Sequence, residues 1–286
     1  MTGDPLPYPV QVMLARRVEE LPAADALPGG CAWEPKLDGH RLVVLTSPVR
    51  LQTRSGRDVT ERFPEIAEAA GALPPGTVLD GELVVWLDGK VDFQALQTRA
   101  NSPRRRTPPA NYAAFDVLAL DGADWRPRPY GERRPGLEAL LGPLGPPLQA
   151  VPMTLDRETA RQWYDLRAGG VEGLVAKGLA QPYRPGRRGW LKIRHMELQD
   201  AMVVGVTGPV ARPTAAVVDF GDGPVLSARL APLLRRQLGE AATTGRASVD
   251  DVDYRPLVAP LPAEVRHGDT RHTTAAVIRL REDLAL

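Results

Sequence analysis

Five extended runs recur between residues 40 and 193: His40–Thr46, Thr77–Leu87, Tyr112–Leu120, Gly173–Ala176 and Gly189–Ile193. Each is rich in Val, Leu or aromatic residues and bounded by Gly, Pro or Asp, the signature of short strands. Helical periodicity lies between them at Glu61–Ala70, Phe93–Arg99, Gly131–Leu141 and Arg157–Arg167. Pro-rich loops such as Ser102–Ala110 and Gly142–Pro147 separate the elements. Mixed strands and helices in this order predict an α+β domain built on antiparallel sheets.

After about His195 the texture changes. Short strands are expected at Asp200–Thr207, Thr214–Phe220 and Pro224–Leu230, one helix at Pro232–Ala241, and extended segments at Leu257–Val265 and Thr273–Leu280. Roughly five strands and one helix in about 90 residues fit a small β-barrel of the OB type. The expected boundary divides residues 1–196 from 197–286, and no internal repeat is visible.

Several function classes fall away on composition. No window approaches about 18 consecutive apolar residues, so no membrane span is expected. The N-terminus lacks a basic region followed by an apolar stretch, so it does not read as a signal peptide. Cys31 is the single cysteine, which excludes an intramolecular disulfide and a thiolate zinc cluster. A cytoplasmic monomer is expected. The net charge of +1 does not indicate a globally basic nucleic-acid binder. Positive charge is local instead, in Arg104-Arg105-Arg106 and in the stretch from Arg184 to His195, which holds no acidic residue.

Lysine occurs at only four positions, Lys36, Lys90, Lys177 and Lys192, against 32 arginines among the 36 basic residues. With abundant Ala, Gly and Pro, this bias matches a GC-rich bacterial coding sequence. In such a background a lysine marks a place where guanidinium will not serve, because an amine can lose its proton and attack whereas arginine stays protonated. Lys90 has a structural explanation, since Asp88-Gly89-Lys90 between extended runs reads as a hairpin turn.

Lys36 stands in Trp33-Glu34-Pro35-Lys36-Leu37-Asp38-Gly39-His40-Arg41. A strand-like run delivers the lysine, Asp-Gly supplies a tight turn, and Arg41 begins the next strand. That turn can hold Lys36 against a nucleotide, with Asp38 near its amine and Arg41 directed at phosphates; the competing reading is an ordinary surface hairpin. Further segments follow in order: Thr53-Arg54-Ser55-Gly56, Leu79-Asp80-Gly81-Glu82-Leu83, Tyr112-Ala-Ala-Phe115-Asp116, Val171-Glu172-Gly173-Leu-Val-Ala-Lys177 and Arg188-Gly189-Trp190-Leu191-Lys192-Ile193-Arg194. Together these resemble the motifs of the covalent nucleotidyltransferases, namely ATP-dependent DNA ligases, RNA ligases and mRNA capping enzymes. Phe93-Gln94-Ala-Leu96-Gln97-x-Arg99 is similar to the bacterial ligases related to end-joining repair.

The resemblance implies a nucleotidyltransferase (adenylation) domain followed by an OB-fold barrel, with Lys36 as the nucleophile that carries AMP. It implies that Glu34 reads adenine's exocyclic amine, that Phe115 stacks on the base, and that Lys177 lies in the same nucleotide site. Arg41, Arg54, Arg188 and Lys192 would hold phosphate or ribose oxygens. Glu82 and Glu172 would supply hard oxygen ligands for Mg²⁺, or Mn²⁺ in its place. An exposed lysine, with a pKa of ~10.4, is almost wholly protonated near neutrality, so burial and nearby cationic charge are needed to activate it. Arg104, Arg105, Arg106 and Arg187 are candidates for DNA phosphates. The implied partners are nicked or broken duplex DNA, on the bacterial nucleoid, and a Ku-type end-binding protein.

One departure stands at the C-terminus. The family's last motif reads R-x-D-K, and here Arg281-Glu282-Asp283-Leu284 places leucine where the final basic residue is expected, which predicts slower self-adenylation. The alternatives are an RNA ligase or capping guanylyltransferase of the same superfamily, and a non-catalytic nucleic-acid-binding relative.

Overall fold

Period-two alternation along the longer strands of residues 14–194 gives them apolar faces, and in the computed structural model those faces assemble into two packed sheets. The structure describes residues 5–101, 108–165, 171–194, 197–249, 252–267 and 275–281. The chain divides into two units, Met1–Arg194 and His195–Leu286.

In chain order the first unit holds β1 (Leu14–Arg17), β2 (Cys31–Leu37), β3 (His40–Thr46), β4 (Val49–Thr53), α1 (Pro64–Ala70), β5 (Val78–Leu87), β6 (Lys90–Val91) and α2 (Phe93–Asn101). It continues with β7 (Ala110–Leu120), β8 (Ala123–Asp124), α3 (Tyr130–Leu141), β9 (Leu148–Ala150), α4 (Arg157–Asp165), β10 (Val171–Gly178) and β11 (Arg188–Arg194). One sheet has the order β1-β11-β10-β2, antiparallel except for β1 beside β11. The other has the order β4-β3-β5-β7-β8, with β6 added to β5 and β9 lying parallel to β7.

The expected helix at Glu61–Ala70 is broken, because a 3₁₀ turn at Thr60–Arg62 precedes a helix that restarts with Pro64. The helix expected over Arg157–Arg167 is seen to Asp165, its end lying outside the described residues. The Lys90 turn forms as expected, with Asp88 and Gly89 at φ 50° and 76° and Leu87 paired with Lys90. The surface hairpin at Lys36–Arg41 does not form. β2 pairs with β10 whereas β3 pairs with β4 and β5, so Asp38-Gly39 carries the chain from one sheet to the other. Gly39 is needed for this crossing, since a Cβ there would stand 2.3 Å from the Leu83 carbonyl oxygen.

Three apolar layers result. Cys31, Trp33, Leu174, Ala176, Leu191 and Ile193 on the outer face of the first sheet are covered by Ala160, Trp163 and Tyr164 of α4. Leu42, Val44, Leu79, Leu83 and Ala114 on the outer face of the second are covered by α1, α2 and α3 through Ile66, Leu96 and Leu137. Between the sheets, Val43, Leu45 and Val78 meet Trp190 and Tyr183 and the N-terminal residues Leu6, Val10, Val12 and Met13. Each fully buried aliphatic side chain contributes about 1.5–3 kcal/mol relative to exposure.

The second unit comprises β12 (Glu197–Val206), β13 (Ala215–Asp219), β14 (Pro224–Arg229), α5 (Pro232–Ala241), β15 (Ala247–Val249), β16 (Val252–His267) and β17 (Ala276–Leu280). Its order is β14-β13-β12-β16, with β15 and β17 both paired to β16. A bridge between Ser227 and Ala275, in which Ala228 N–H donates to the Ala275 carbonyl at 2.6 Å, joins the outer strands and curls the sheet into an OB-like barrel. Val203, Val218, Leu234, Leu238 and Val265 fill its interior. Among the described residues no helix is long and apolar enough to cross a membrane.

One buried ion pair fastens α3 to the second sheet. Arg133, 0% exposed, donates through Nε and Nη2 to the two Asp116 oxygens at 2.8 Å each. Asp116→Ala strands that guanidinium without a counter-charge, and a loss of about 3–5 kcal/mol is expected in the urea unfolding of the first unit. Arg133→Met in the same chain should recover part of it. An unchanged unfolding midpoint for Asp116→Ala would show that the pair contributes nothing.

Candidate active site

Residues facing the space between the sheets alternate with the core residues just described. Glu34 and Lys36 share this face of β2, opposite Val175 and Gly173 of β10, while Lys192 and Arg194 of β11 pair with the same two residues from the other side. From the second sheet Arg41, Asp80 and Glu82 face them. The crossover at Asp38-Gly39 therefore joins two strands that line opposite walls of one site.

Two of the β-bulges shape the site directly. Val171 pairs with Leu37 and Gly173 with Lys36, which leaves Glu172 as an extra residue in β10. Regular alternation would turn Glu172 toward the core with Leu174 and Ala176; the bulge instead brings its carboxylate into contact with the Lys36 amine. Gly173, at φ 148°, permits this, since a Cβ there would lie 2.0 Å from the Ile193 carbonyl oxygen. In the second sheet Asp80 pairs with Asp116 and Gly81 with Ala114, leaving Phe115 as the extra residue of β7. Its half-buried ring stands edge-on to Trp190, 5.9 Å between centroids, and 5.1 Å from the Arg41 guanidinium.

Charge is dense here. Glu172 also meets Arg194 at 3.3 Å. Burial pushes the Glu82 carboxyl up to about 7, although Lys36 and Arg41 pull it down. Burial pushes the Lys192 amine below the ordinary lysine range, and the neighbouring Arg194 and Lys36 charges add to this. Arg41 donates to Asp80 at 2.9 and 2.5 Å, and Asp80 accepts a further bond from the Tyr183 hydroxyl at 2.7 Å. Burial opposes the Arg41 charge, but Asp80 outweighs it and holds the guanidinium above its usual range.

A second cluster surrounds Glu34, only 2% exposed. Its Oε2 meets Lys177 Nζ at 2.8 Å, and its Oε1 accepts from the Tyr130 hydroxyl and from Arg134 at 3.3 Å. Lys177 Nζ also donates to the Phe115 carbonyl at 2.6 Å. Burial pushes the Lys177 ammonium down, against the pull of Glu34 and Asp116.

The structure thus brings Glu34, Lys36, Arg41, Glu82, Phe115, Glu172, Lys177 and Lys192 to the two facing walls. Arg41 is bound to Asp80 rather than presented to a ligand, and Lys177 is interior. Arg54 is exposed at the turn after β4, and Arg187 and Arg188 are exposed at the start of β11. Arg104, Arg105 and Arg106 lie outside the described residues, as do Glu282, Asp283 and Leu284. Arg281, in the second unit, donates to Asp200 at 2.8 Å.

Sequence reading passed over Tyr130, Arg133 and Arg134. They occupy the inward stripe of α3 with Leu137 and Leu141, at the i, i+3, i+4 spacing of a core-facing helix. Two arginines inside that stripe were the available signal that buried acids awaited them. Asp80 and Tyr183 carried no comparable mark.

Gly173→Ala should cost about 1–3 kcal/mol of stability in denaturant unfolding, because the added methyl must displace β11 backbone. A variant as stable as the parent would mean that the bulge is not tightly constrained. Glu82 gives a pH signature. Its folded-state pKa lies above the ordinary glutamate value, so stability should fall as pH rises from about 4.3 to about 7, where the unfolded chain has already released the proton. Glu82→Gln should flatten that part of the profile of melting temperature against pH, and an identical slope in both proteins would exclude Glu82 as its source.

The model of the ATP dependent DNA ligase domain matches residues 12–194. The chain is similar to DNA ligase C2 of Mycolicibacterium smegmatis, 36% identical over 211 residues that cover 70% of this chain and 58% of that protein. It is similar also to the multifunctional non-homologous end joining DNA repair protein LigD of Mycobacterium tuberculosis, 33% identical over 275 residues, covering 87% of this chain and 33% of that one. Its structure resembles the crystal structure of the ligase domain of M. tuberculosis LigD, with a TM-score of 0.57 and 27% identity over 96% of this chain and 95% of that one. A mycobacterial DNA ligase D complexed with ATP and MES matches with a TM-score of 0.54 and 26% identity, again over 96% and 95%. The family match spans well over half of the chain and covers every motif from β2 to β11: this chain belongs to the ATP-dependent DNA ligase domain family.

Proposed function

We propose that this chain is an ATP-dependent DNA ligase that seals 5′-phosphate/3′-hydroxyl breaks through AMP carried on Lys36. The observation that carries the reading is the Lys36 amine in contact with Glu172 at the β10 bulge, with Glu82 on the opposing wall and Lys192 and Arg194 beside it. In this reading residues 1–196 form the adenylation domain and residues 197–286 the OB domain.

The residues divide the work along the nucleotide. Glu34 and Phe115 take the base, one at its edge and one at its face. Lys192, Arg188 and Arg54 offer positive charge to phosphate and ribose oxygens. Arg41, already paired with Asp80, serves through the fixed charge it adds to the wall. As the Lys36–Glu172 pair opens, the Lys36 ammonium gives its proton to water and the free amine attacks the α-phosphorus, while Glu172 stays a carboxylate. A nitrogen–phosphorus bond forms, the bond to the bridging oxygen breaks, and pyrophosphate leaves. The 5′-phosphate of a break then takes AMP from Lys36, and a 3′-hydroxyl displaces AMP to close the strand.

Among the described residues no three acidic or histidine side chains converge as a ready-made metal cage. The hard oxygens of Glu82 and Glu172 nonetheless fit Mg²⁺ or Mn²⁺ that completes its shell with phosphate oxygens and water. Such an ion would offset phosphate charge. The resemblance to ligases named for end joining supports broken duplex DNA as substrate, with a Ku-type end-binding protein as the partner that delivers it.

Incubation with α-labelled ATP and Mg²⁺ should leave label covalently on the protein, and nicked DNA should discharge it. Lys36→Ala should abolish the label, a loss of more than about 1,000-fold. A label that survives this substitution, or a protein that never acquires one, would overturn the proposal.

A further inference from the structure

We propose that Lys177 is a positioning residue for base selection: it ties Glu34 on one wall to the Phe115 bulge on the other, and so sets the preference for adenine over guanine. This rests on the ligase reading above.

The geometry leaves Lys177 no role at the phosphates. An ammonium has three N–H donors. One reaches Glu34 Oε2 at 2.8 Å and one the Phe115 carbonyl at 2.6 Å. The remaining direction is enclosed by aromatic rings, with Nζ 4.7 Å from the centroid of Phe115, 4.8 Å from that of Tyr130 and 4.7 Å from that of Trp190. The side chain is 1% exposed. An incoming phosphate would have to strip it from all of these partners.

What the lysine does hold is informative. Glu34 stands on β2, in the first sheet, and Phe115 on β7, in the second. Phe115 is the extra residue of its bulge, with no register partner on β5, so its backbone is open to a donor from elsewhere. Lys177, diagonal to Glu34 across the β2–β10 pair, reaches over to supply that donor. One ammonium thus sets the spacing between a base-edge acceptor and a base-face ring on separate sheets. With Tyr130 and Arg134 on its other oxygen, the Glu34 carboxylate is held at both ends. A carboxylate so fixed accepts the exocyclic amine of adenine and repels the carbonyl oxygen that guanine presents at the same place.

The test compares the parent with Lys177→Met and Lys177→Gln, measuring kcat and KM for formation of the protein–nucleotide adduct with ATP and with GTP. Sealing of a pre-adenylated nick without added nucleotide reports that each variant is folded. Lys177→Met should raise KM for ATP about tenfold with little change in kcat, and lower the ATP-to-GTP ratio of kcat/KM about tenfold, while still sealing the pre-adenylated nick. Lys177→Gln, which keeps two N–H donors without the charge, should fall between, and it carries the test if the methionine variant does not fold. An equal drop in kcat with both nucleotides and an unchanged ratio would mark Lys177 as a phosphate ligand or a general scaffold and overturn the proposal. A parent protein that forms no adduct with either nucleotide would sink the ligase reading itself, and this inference with it.

Discussion

A carboxylate leaves water only in company. Glu34, Asp80 and Asp116 are each at most 2% exposed, and each is met by cations and hydroxyls drawn from elsewhere in the chain. Arg133 grips Asp116, Arg41 and Tyr183 grip Asp80, and Lys177, Arg134 and Tyr130 grip Glu34. An isolated buried charge costs several kcal/mol, so these partners must be in place for the sheets to close at all. That requirement, more than hydrophobic area, selects one arrangement of the two walls, because apolar layers tolerate sliding that bidentate pairs do not.

The same network explains why the site stays polar. Alternation sends one residue in two toward the space between the sheets, and Val43, Leu45, Val78 and Trp190 fill one part of it with apolar bulk. Lys36, Glu172, Lys192 and Arg194 occupy the rest. Bulges at Glu172 and Phe115 override alternation at two positions, one for the acid that meets the lysine and one for the ring beside Arg41. In both cases the departure from regular pairing creates the feature that chemistry would use.

Much of this was legible in the sequence. The scarcity of lysine singled out Lys36, Lys177 and Lys192, and all three fall within the site. Strand and helix positions followed from periodicity, including α5 to the residue. Pairing did not follow. Lys36-x-Asp-Gly-x-Arg41 reads as a hairpin because two strands flank a turn, and nothing local says that those strands belong to different sheets. Arg41 reads as a phosphate ligand because its partner Asp80 lies 39 residues away. Lys177 resembled its neighbours in the motif, while the enclosing rings come from three other elements. Short strands such as β1 and β4 escaped notice, since Leu14-Ala-Arg-Arg17 and Val49-Arg-Leu-Gln-Thr53 carry no run of Val, Leu or aromatic residues.

The parallel pairing of β1 with β11 has an architectural corollary. The first and last strands of the opening unit lie side by side, Leu14 against Arg188 and Arg17 against Lys192. Because the two run parallel, the chain enters β1 at one end of this pair and leaves β11 at the other. The strand that closes the unit is laid beside the one that opens it, so the unit completes its own sheet before the chain passes on. This gives a physical reason why one fold can recur inside polypeptides of very different length, among them relatives of which this chain matches a third and others of which it matches more than half.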